Sequence, residues 1–207
     1  LLETFGGSGT PGEIFNRDYA MPVGARHAAF RIRFRQEGGS GLAFDFWHVD
    51  DVCLDVRDLP QLQVTKVSST ISDPVNGTTN PYAIPGAIKA YDLSVSNAGA
   101  GAVDADTLVL TDVIPDDLAL FVDTGSGDPV VFTDGGVASG VSLTFATGVR
   151  FSSQPGGGAP FDYVPTPDAG GFDAAVTGVQ ITLTGAMNGA SGGGAPSYVI
   201  RLLARVD

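Results

Sequence analysis

The sequence predicts an all-β protein built from antiparallel β-sandwich modules. The prediction rests first on segments in which apolar and polar residues alternate, because successive side chains of a strand point to opposite faces of a sheet. It rests second on 29 glycines and 13 prolines among 207 residues, a content typical of many turns between short strands. The sequence contains no Ala- and Leu-rich segment with helical periodicity, which argues against helices of any length.

The first alternating element covers residues 29–35. Phe30, Ile32 and Phe34 fall on one face and three arginines on the other, as expected for a half-buried strand. A Gly-Gly-Ser-Gly turn at residues 38–41 follows, and residues 43–56 are predicted to pair back onto the first strand.

Pro60 marks the predicted boundary between two domains, residues 1–59 and 60–207. Six of the nine arginines, both histidines and the only tryptophan lie before it, whereas Gly, Thr, Ser and Asp dominate after it. The short connection at residues 57–60 is suited to joining two packed modules.

The clearest strand pattern of the second domain begins with a Pro85-Gly86 turn. This turn leads into an alternating strand over residues 88–95. The strand breaks at residues 97–99 (Asn-Ala-Gly), where Asn and Gly tolerate the positive φ of a tight turn. A further strand is predicted over residues 108–113, and Pro115 ends it.

These motifs, together with the phrase Thr-Asp-Val-Ile-Pro at residues 111–115, closely resemble the conserved repeat domain of bacterial cell-surface and secreted proteins usually called DUF11. The resemblance covers about residues 61–207 and implies an Ig-like sandwich. It implies an opening strand at residues 62–66, a following loop at residues 72–81 and a last strand that ends near Asp207. Residues 132–136, 163–173 and 192–201 are similar to a longer bacterial version of the domain.

Leu202 and Leu203 depart from the alternation expected of a half-exposed last strand. A strand covered on both faces would explain two consecutive leucines.

Trp47-His-Val-Asp-Asp-Val52 resembles the closing strand of jelly-roll modules of the MAM and carbohydrate-binding type, over about residues 20–57. The resemblance implies a structural calcium ion held by Asp50 or Asp51, since carboxylates are suitable ligands and neighbouring strand residues face opposite sides. It also implies a sugar-stacking role for Trp47. The alternatives are two solvent-exposed aspartates and a tryptophan in the core.

A jelly roll needs roughly twice the strands that about 57 residues supply. Three solutions are open. The rest of the domain is removed upstream, the strands of residues 20–57 pack on the second domain, or a neighbouring subunit supplies the missing strands. The third solution predicts a polymer subunit, and the sequence leaves all three open.

The net charge is −12, and residues 61–207 carry 14 Asp and no Glu against five basic residues, a net of −9. This charge disfavours nucleic acid and anionic membranes as partners. No apolar run approaches the roughly 18 residues that cross a bilayer, and residue 1 begins no signal peptide pattern. We therefore expect a mature product or an excised fragment.

Cys53 is the only cysteine, so an internal disulfide is excluded, and the absence of disulfides favours a bacterial exterior over a eukaryotic one. It is interpreted as a small buried hydrophobic residue. His27 and His48 are the only histidines, and neither a nucleophile elbow nor a zinc-ligand spacing accompanies them, so no enzyme is predicted. The Gly-x-Gly-x-x-Gly match at residues 7–12 lacks a following helix and indicates a glycine loop.

Lys66 lies on the predicted opening strand, where some surface Ig-like modules carry the lysine of an intramolecular isopeptide bond. Asp207 is nearly the only late residue that could partner it, and an ordinary exposed lysine is the expectation.

Taken together, the sequence predicts a non-catalytic extracellular structural protein of a bacterial surface fibre, matrix or stalk, with self-association or neighbouring subunits as partners and no required cofactor. The alternatives are a calcium-dependent carbohydrate-binding or adhesion module that uses Trp47 and Asp50, and an accessory fragment of a larger secreted protein.

Overall fold

The structure, a computed structural model, describes residues 14, 17, 19, 30–35, 49, 51, 52, 58–125 and 127–207. The chain divides into two compact units, Leu1–Cys53 and Leu54–Asp207, and each is considered by itself.

In the first unit, the predicted strand over residues 29–35 is not formed where the structure describes it. Residues 30–35 lie outside any strand, with Ile32 40% and Phe34 52% exposed. An alternating sequence needs a neighbouring strand to satisfy its backbone N–H and C=O groups, and the alternation alone does not supply one. Val49, Asp51 and Val52 are likewise exposed and outside strands, and the rest of residues 36–57 lies outside the described residues.

In the second unit the described residues form eleven strands and one short helix. The elements are β1 (Leu62–Ser72), β2 (Ile88–Asn97), β3 (Val109–Val113), β4 (Leu118–Phe121), β5 (Val130–Asp134), β6 (Val141–Ser142), α1 (Phe145–Gly148), β7 (Val149–Ser152), β8 (Phe172–Asp173), β9 (Gly178–Thr182), β10 (Thr184–Gly185) and β11 (Ser197–Val206).

The strands form three antiparallel sheets. The largest has the order β1-β2-β11-β4-β8, and β5 pairs with β11 beside β4. A three-stranded sheet has the order β3-β9-β7, and β6 pairs with β10. The prediction of an all-β antiparallel fold is confirmed, as are the predicted strands that correspond to β1, β2, β3 and β11.

The core lies between the largest sheet and the three-stranded sheet. Strand β11 is its centre, because Tyr198, Ile200, Leu202 and Ala204 alternate inward and are at most 1% exposed. The three-stranded sheet contributes the buried side chains of Val149, Phe151, Val179 and Ile181, and Leu183, which follows β9 directly, is buried with them. Burial of each large apolar side chain contributes roughly 1.5–3 kcal/mol, so β11 is the main stabilising element of the sandwich.

The Pro85-Gly86 turn forms as predicted, with Gly86 at φ +85°, a conformation that glycine adopts without strain. The turn at Asn97–Gly99 has a different basis from the predicted one, because neither residue has a positive φ. Gly99 is required by close approach instead, since a Cβ there would overlap the backbone of Leu59 and lie 2.6 Å from the Gln61 nitrogen.

The loop predicted after the opening strand is organised by Asp73. Its carboxylate accepts hydrogen bonds from the backbone N–H groups of Val75, Asn76 and Tyr82 at 2.6–2.7 Å. These bonds, the one from Asn76 foremost, lower the pKa of Asp73.

Candidate functional site

The edge strand β1 is the surface of the second unit that is best suited to binding. It pairs with β2 on one side, and no other described strand pairs with it. Eight of its eleven residues in succession, 62–69, are exposed, including Val64 (60%) and Val67 (62%). A long strand with a free edge and exposed apolar side chains is a template for pairing with another chain. We call residues 62–72 the β1 edge.

The register with β2 defines the two faces of the β1 edge. Leu62 lies opposite Asn97, Val64 opposite Val95 and Lys66 opposite Leu93. Since Leu93, Val95 and Asn97 are buried, this row of the β1 edge continues the inner face of the sheet beyond the core. The other row, which includes Gln63, Thr65 and Val67, continues the outer face.

Lys66 crosses from this inner row to the three-stranded sheet. Its Nζ donates to Asp112 Oδ1 of β3 at 2.7 Å and lies 4.9 Å from the centre of the Tyr91 ring. Asp112 Oδ2 is buried without a hydrogen-bond partner among the described residues. Burial and the charges of Asp117 and Asp112 raise the pKa of the Tyr91 hydroxyl. The only charged side chain of the β1 edge is therefore neutralised within its own unit.

Neither sequence interpretation of Lys66 predicted this ion pair. The lysine is exposed, as predicted, but it is paired with Asp112. Asp207, the suggested isopeptide partner, accepts hydrogen bonds from Arg205 instead, at 3.0 Å and 3.1 Å. The sequence contains a signal for the partner of Lys66. Asp112 is an acidic residue at a position where the alternation of Leu108 and Leu110 predicts an apolar one.

Asn97 fixes the beginning of the β1 edge. Its side chain is fully buried and its Oδ1 accepts hydrogen bonds from the backbone N–H groups of Gln61 and Gly99 at 2.9 Å and 3.1 Å. Its Nδ2 donates to the carbonyl oxygens of Gly101 and Asn188 at 2.8 Å and 2.9 Å. The amide uses both of its donor hydrogens and both acceptor positions, so it holds three chain segments together.

A second polar cluster, centred on Arg205 of β11, has a structural role. Arg205 donates to Asp168 Oδ2 at 2.7 Å and to Asp207, and its guanidinium lies 5.0 Å from the centre of the Phe172 ring. The hydrogen bond from Arg205 and the backbone N–H of Phe172 lower the pKa of Asp168 to about 2. The cluster attaches the loop before β8 to the last strand.

The low pKa of Asp168 predicts an acid-sensitive contribution to stability. Since its pKa in the folded protein is about 2 against an ordinary value of 3.8, the contribution is present above about pH 4 and is lost as the pH falls through 2. Asp168→Asn is expected to lower the melting temperature near neutral pH, and this difference from wild type should shrink between pH 5 and pH 2. Melting curves followed by circular dichroism measure it. Asp162→Asn, at an exposed position in the same loop, serves as the control and should match wild type at every pH; a difference for Asp168→Asn that does not vary with pH would contradict the assignment.

The residues predicted for calcium and glycan binding are only partly described. Asp51 is exposed, with φ 52°, and is not part of a strand. Trp47 and Asp50 lie outside the described residues, as do His27, His48, Cys53 and residues 7–12. Within the part of the chain that the structure describes, no group of three or more His, Cys, Asp or Glu side chains could hold a metal ion. The calcium and glycan sites stay predictions.

Tyr198 is the most unusual polar group of the core. Its ring stacks on Phe132 at 5.5 Å, and its hydroxyl has no hydrogen-bond partner among the described residues. Burial raises the pKa of Tyr198 to about 12, so the hydroxyl stays protonated at neutral pH.

Comparison with known proteins found no match to the chain among family models, curated proteins or solved structures. Among the described helices, none is long and apolar enough to cross a membrane.

Proposed function

We propose that the chain is a non-catalytic extracellular structural protein, a subunit or module of a bacterial surface fibre, matrix or stalk that assembles through β-strand packing between neighbours. The observation that carries the proposal is the β1 edge, an eleven-residue strand that pairs with β2 alone among the described strands and has exposed apolar residues on both faces.

The charge distribution supports self-association at this edge. Residues 61–207 have a net charge of −9, which opposes association of copies over most of the surface. Residues 62–72 contain no acidic residue, and their one lysine is paired with Asp112. The β1 edge therefore has one charged side chain of the kind with which edge strands commonly avoid pairing, and that one is bound to Asp112.

The described ionisable groups support a structural role rather than a catalytic one. Asp92, Asp112 and Asp168 pair with Arg201, Lys66 and Arg205 at 2.7 Å. Asp73 and Asp173 accept hydrogen bonds from backbone N–H groups of their own loops. These carboxylates stabilise strands and turns.

The test is the oligomeric state of the purified 207-residue chain. We expect oligomers or filaments whose size grows with protein concentration, measured by light scattering after size-exclusion chromatography and by negative-stain electron microscopy. Val67→Lys, which places a charge on the edge strand, should shift the distribution to monomers. Val164→Lys changes an 80% exposed loop valine and should assemble like wild type. A wild-type chain that stays monomeric and stably folded at all concentrations would overturn the proposal.

A further inference from the structure

The β1 edge sets conditions on a strand that would pair with it. One face of the added strand would continue the inner row of Leu62 and Val64, and its other face would continue the outer face of the sheet. A matching strand is therefore apolar on alternate residues, with polar or charged residues between them. On the outer face a positive row is favoured, because residues 61–207 carry a net charge of −9.

Residues 30–34 of this chain meet these conditions. Phe30, Ile32 and Phe34 form an apolar row, and Arg31 and Arg33 form a positive one. In the structure this segment is outside any strand, with Phe30 half-buried and Ile32 and Phe34 40% and 52% exposed, so two of its three apolar side chains are open to solvent.

From this match we infer that residues 30–34 of one copy add as a strand to the β1 edge of a second copy, with Phe30, Ile32 and Phe34 beside Leu62 and Val64 and the two arginines on the outer face. The inference rests on the proposed function and names the partner for it. Each copy carries one donor segment and one acceptor edge, so the contact is head-to-tail and generates chains or rings of copies.

We expect the burial of Phe30, Ile32 and Phe34, called here the donor row, to contribute most of the free energy of this contact. Apolar side chains on both strands leave water together, and the main-chain hydrogen bonds of an added strand accompany that burial. The arginines contribute attraction that weakens with salt, since they stay on the exposed face.

Site-directed crosslinking tests the inference in the full chain. Two variants are prepared on a Cys53→Ser background, one with Ile32→Cys and the other with Val64→Cys, and are mixed with a short bismaleimide. We expect covalent dimers that contain one copy of each variant, identified by mass after differential isotope labelling. A mixture of Val164→Cys and Ile32→Cys is the matched control and should give few dimers.

Two charge variants provide an independent measurement that does not need the crosslinker. Ile32→Asp in the donor row and Val64→Asp in the acceptor row should each reduce assembly at least tenfold by light scattering, whereas Val164→Asp should assemble normally. Circular dichroism melts of each variant separate loss of pairing from loss of folding. A synthetic peptide of residues 28–36 should also shorten wild-type assemblies, and the same peptide with Ile32→Asp should not.

The outcomes distinguish failure of the strand-donor inference from failure of the proposed function. If wild type assembles while the crosslink is absent and Ile32→Asp assembles normally, the donor assignment is wrong and the proposed function stands. If a variant with both cysteines forms the crosslink only within one chain, the segment pairs with its own copy and the inference is overturned. If wild type is monomeric, the proposed function fails and this inference fails with it.

Discussion

Replacing Asn97 with alanine is expected to destabilise the second unit by about 3 kcal/mol, because it leaves several buried backbone groups without partners. The amide side chain is fully buried and makes four hydrogen bonds, two as acceptor and two as donor. Without it, the N–H groups of Gln61 and Gly99 and the carbonyl oxygens of Gly101 and Asn188 lose their partner. Chemical denaturation with urea measures the change in the free energy of unfolding.

Two further variants make this experiment specific. Asn188→Ala removes an exposed side-chain bond to Ala138 in a neighbouring segment and should cost less than about 1 kcal/mol. Asn97→Asp keeps the acceptor oxygen but turns a second oxygen toward two carbonyl groups, so it should be at least as destabilising as Asn97→Ala. Hydrogen exchange should show faster exchange at Gln61 and Gly99 in Asn97→Ala. A change of less than 1 kcal/mol for Asn97→Ala would show that the four bonds do not stabilise the unit.

Four of the eleven strands of the second unit, β1, β2, β3 and β11, were predicted from the sequence. In β2, residues 92–97 alternate between the outer face and the core, and the periodicity of Leu93 and Val95 among polar residues is visible in the sequence. In β11 the burial alternates over residues 197–204, although the sequence departs from strict alternation at Leu202 and Leu203. The Pro85-Gly86 turn was also predictable, since its conformation follows from the two residues themselves.

The candidate site was less predictable because it depends on contacts between distant residues. Lys66 and Asp112 are 46 positions apart, and Asn97 and Asn188 are 91 apart. The sequence indicates an opening strand at residues 62–66 but not that β1 continues to Ser72. Nor does it indicate that β1 pairs on one side only among the described strands, because edge position is a property of sheet order.

Residues 30–34 show the converse case, in which the sequence alternates but no strand forms. Their sequence alternates more regularly than that of β11, in which Leu202 and Leu203 are consecutive, yet β11 is a central strand and residues 30–34 are outside any strand. Alternation predicts that a segment is able to form a strand, whereas the strand itself needs a partner that supplies backbone hydrogen bonds. The prediction of a strand at residues 29–35 was wrong because this partner is missing among the described residues. The same alternation, without a partner strand there, is the basis on which we propose the segment as the donor to another copy.

Leu202 and Leu203 allow the packing of β11 to be tested with two identical substitutions at adjacent positions. Leu202 is 1% exposed and lies in the core row, whereas Leu203 is half-buried on the outer face opposite Ala90. Leu202→Ala is expected to destabilise the unit by about 2–5 kcal/mol, because it leaves a cavity at the centre of the sandwich. Leu203→Ala removes the same atoms from a partly solvated face and should cost about 1 kcal/mol.

The comparison of the two variants also decides what covers the outer face of the last strand. Paired urea denaturation curves at low protein concentration measure the monomer, and curves at high concentration measure the assembled chain. If Leu203→Ala costs as much as Leu202→Ala at both concentrations, the strand is covered on both faces within one copy, as two consecutive leucines would suggest from sequence alone. If the cost of Leu203→Ala rises only at high concentration, a neighbouring copy covers this face. If it stays near 1 kcal/mol throughout, the outer face of β11 takes no part in assembly, and the β1 edge is left as the contact to which copies add.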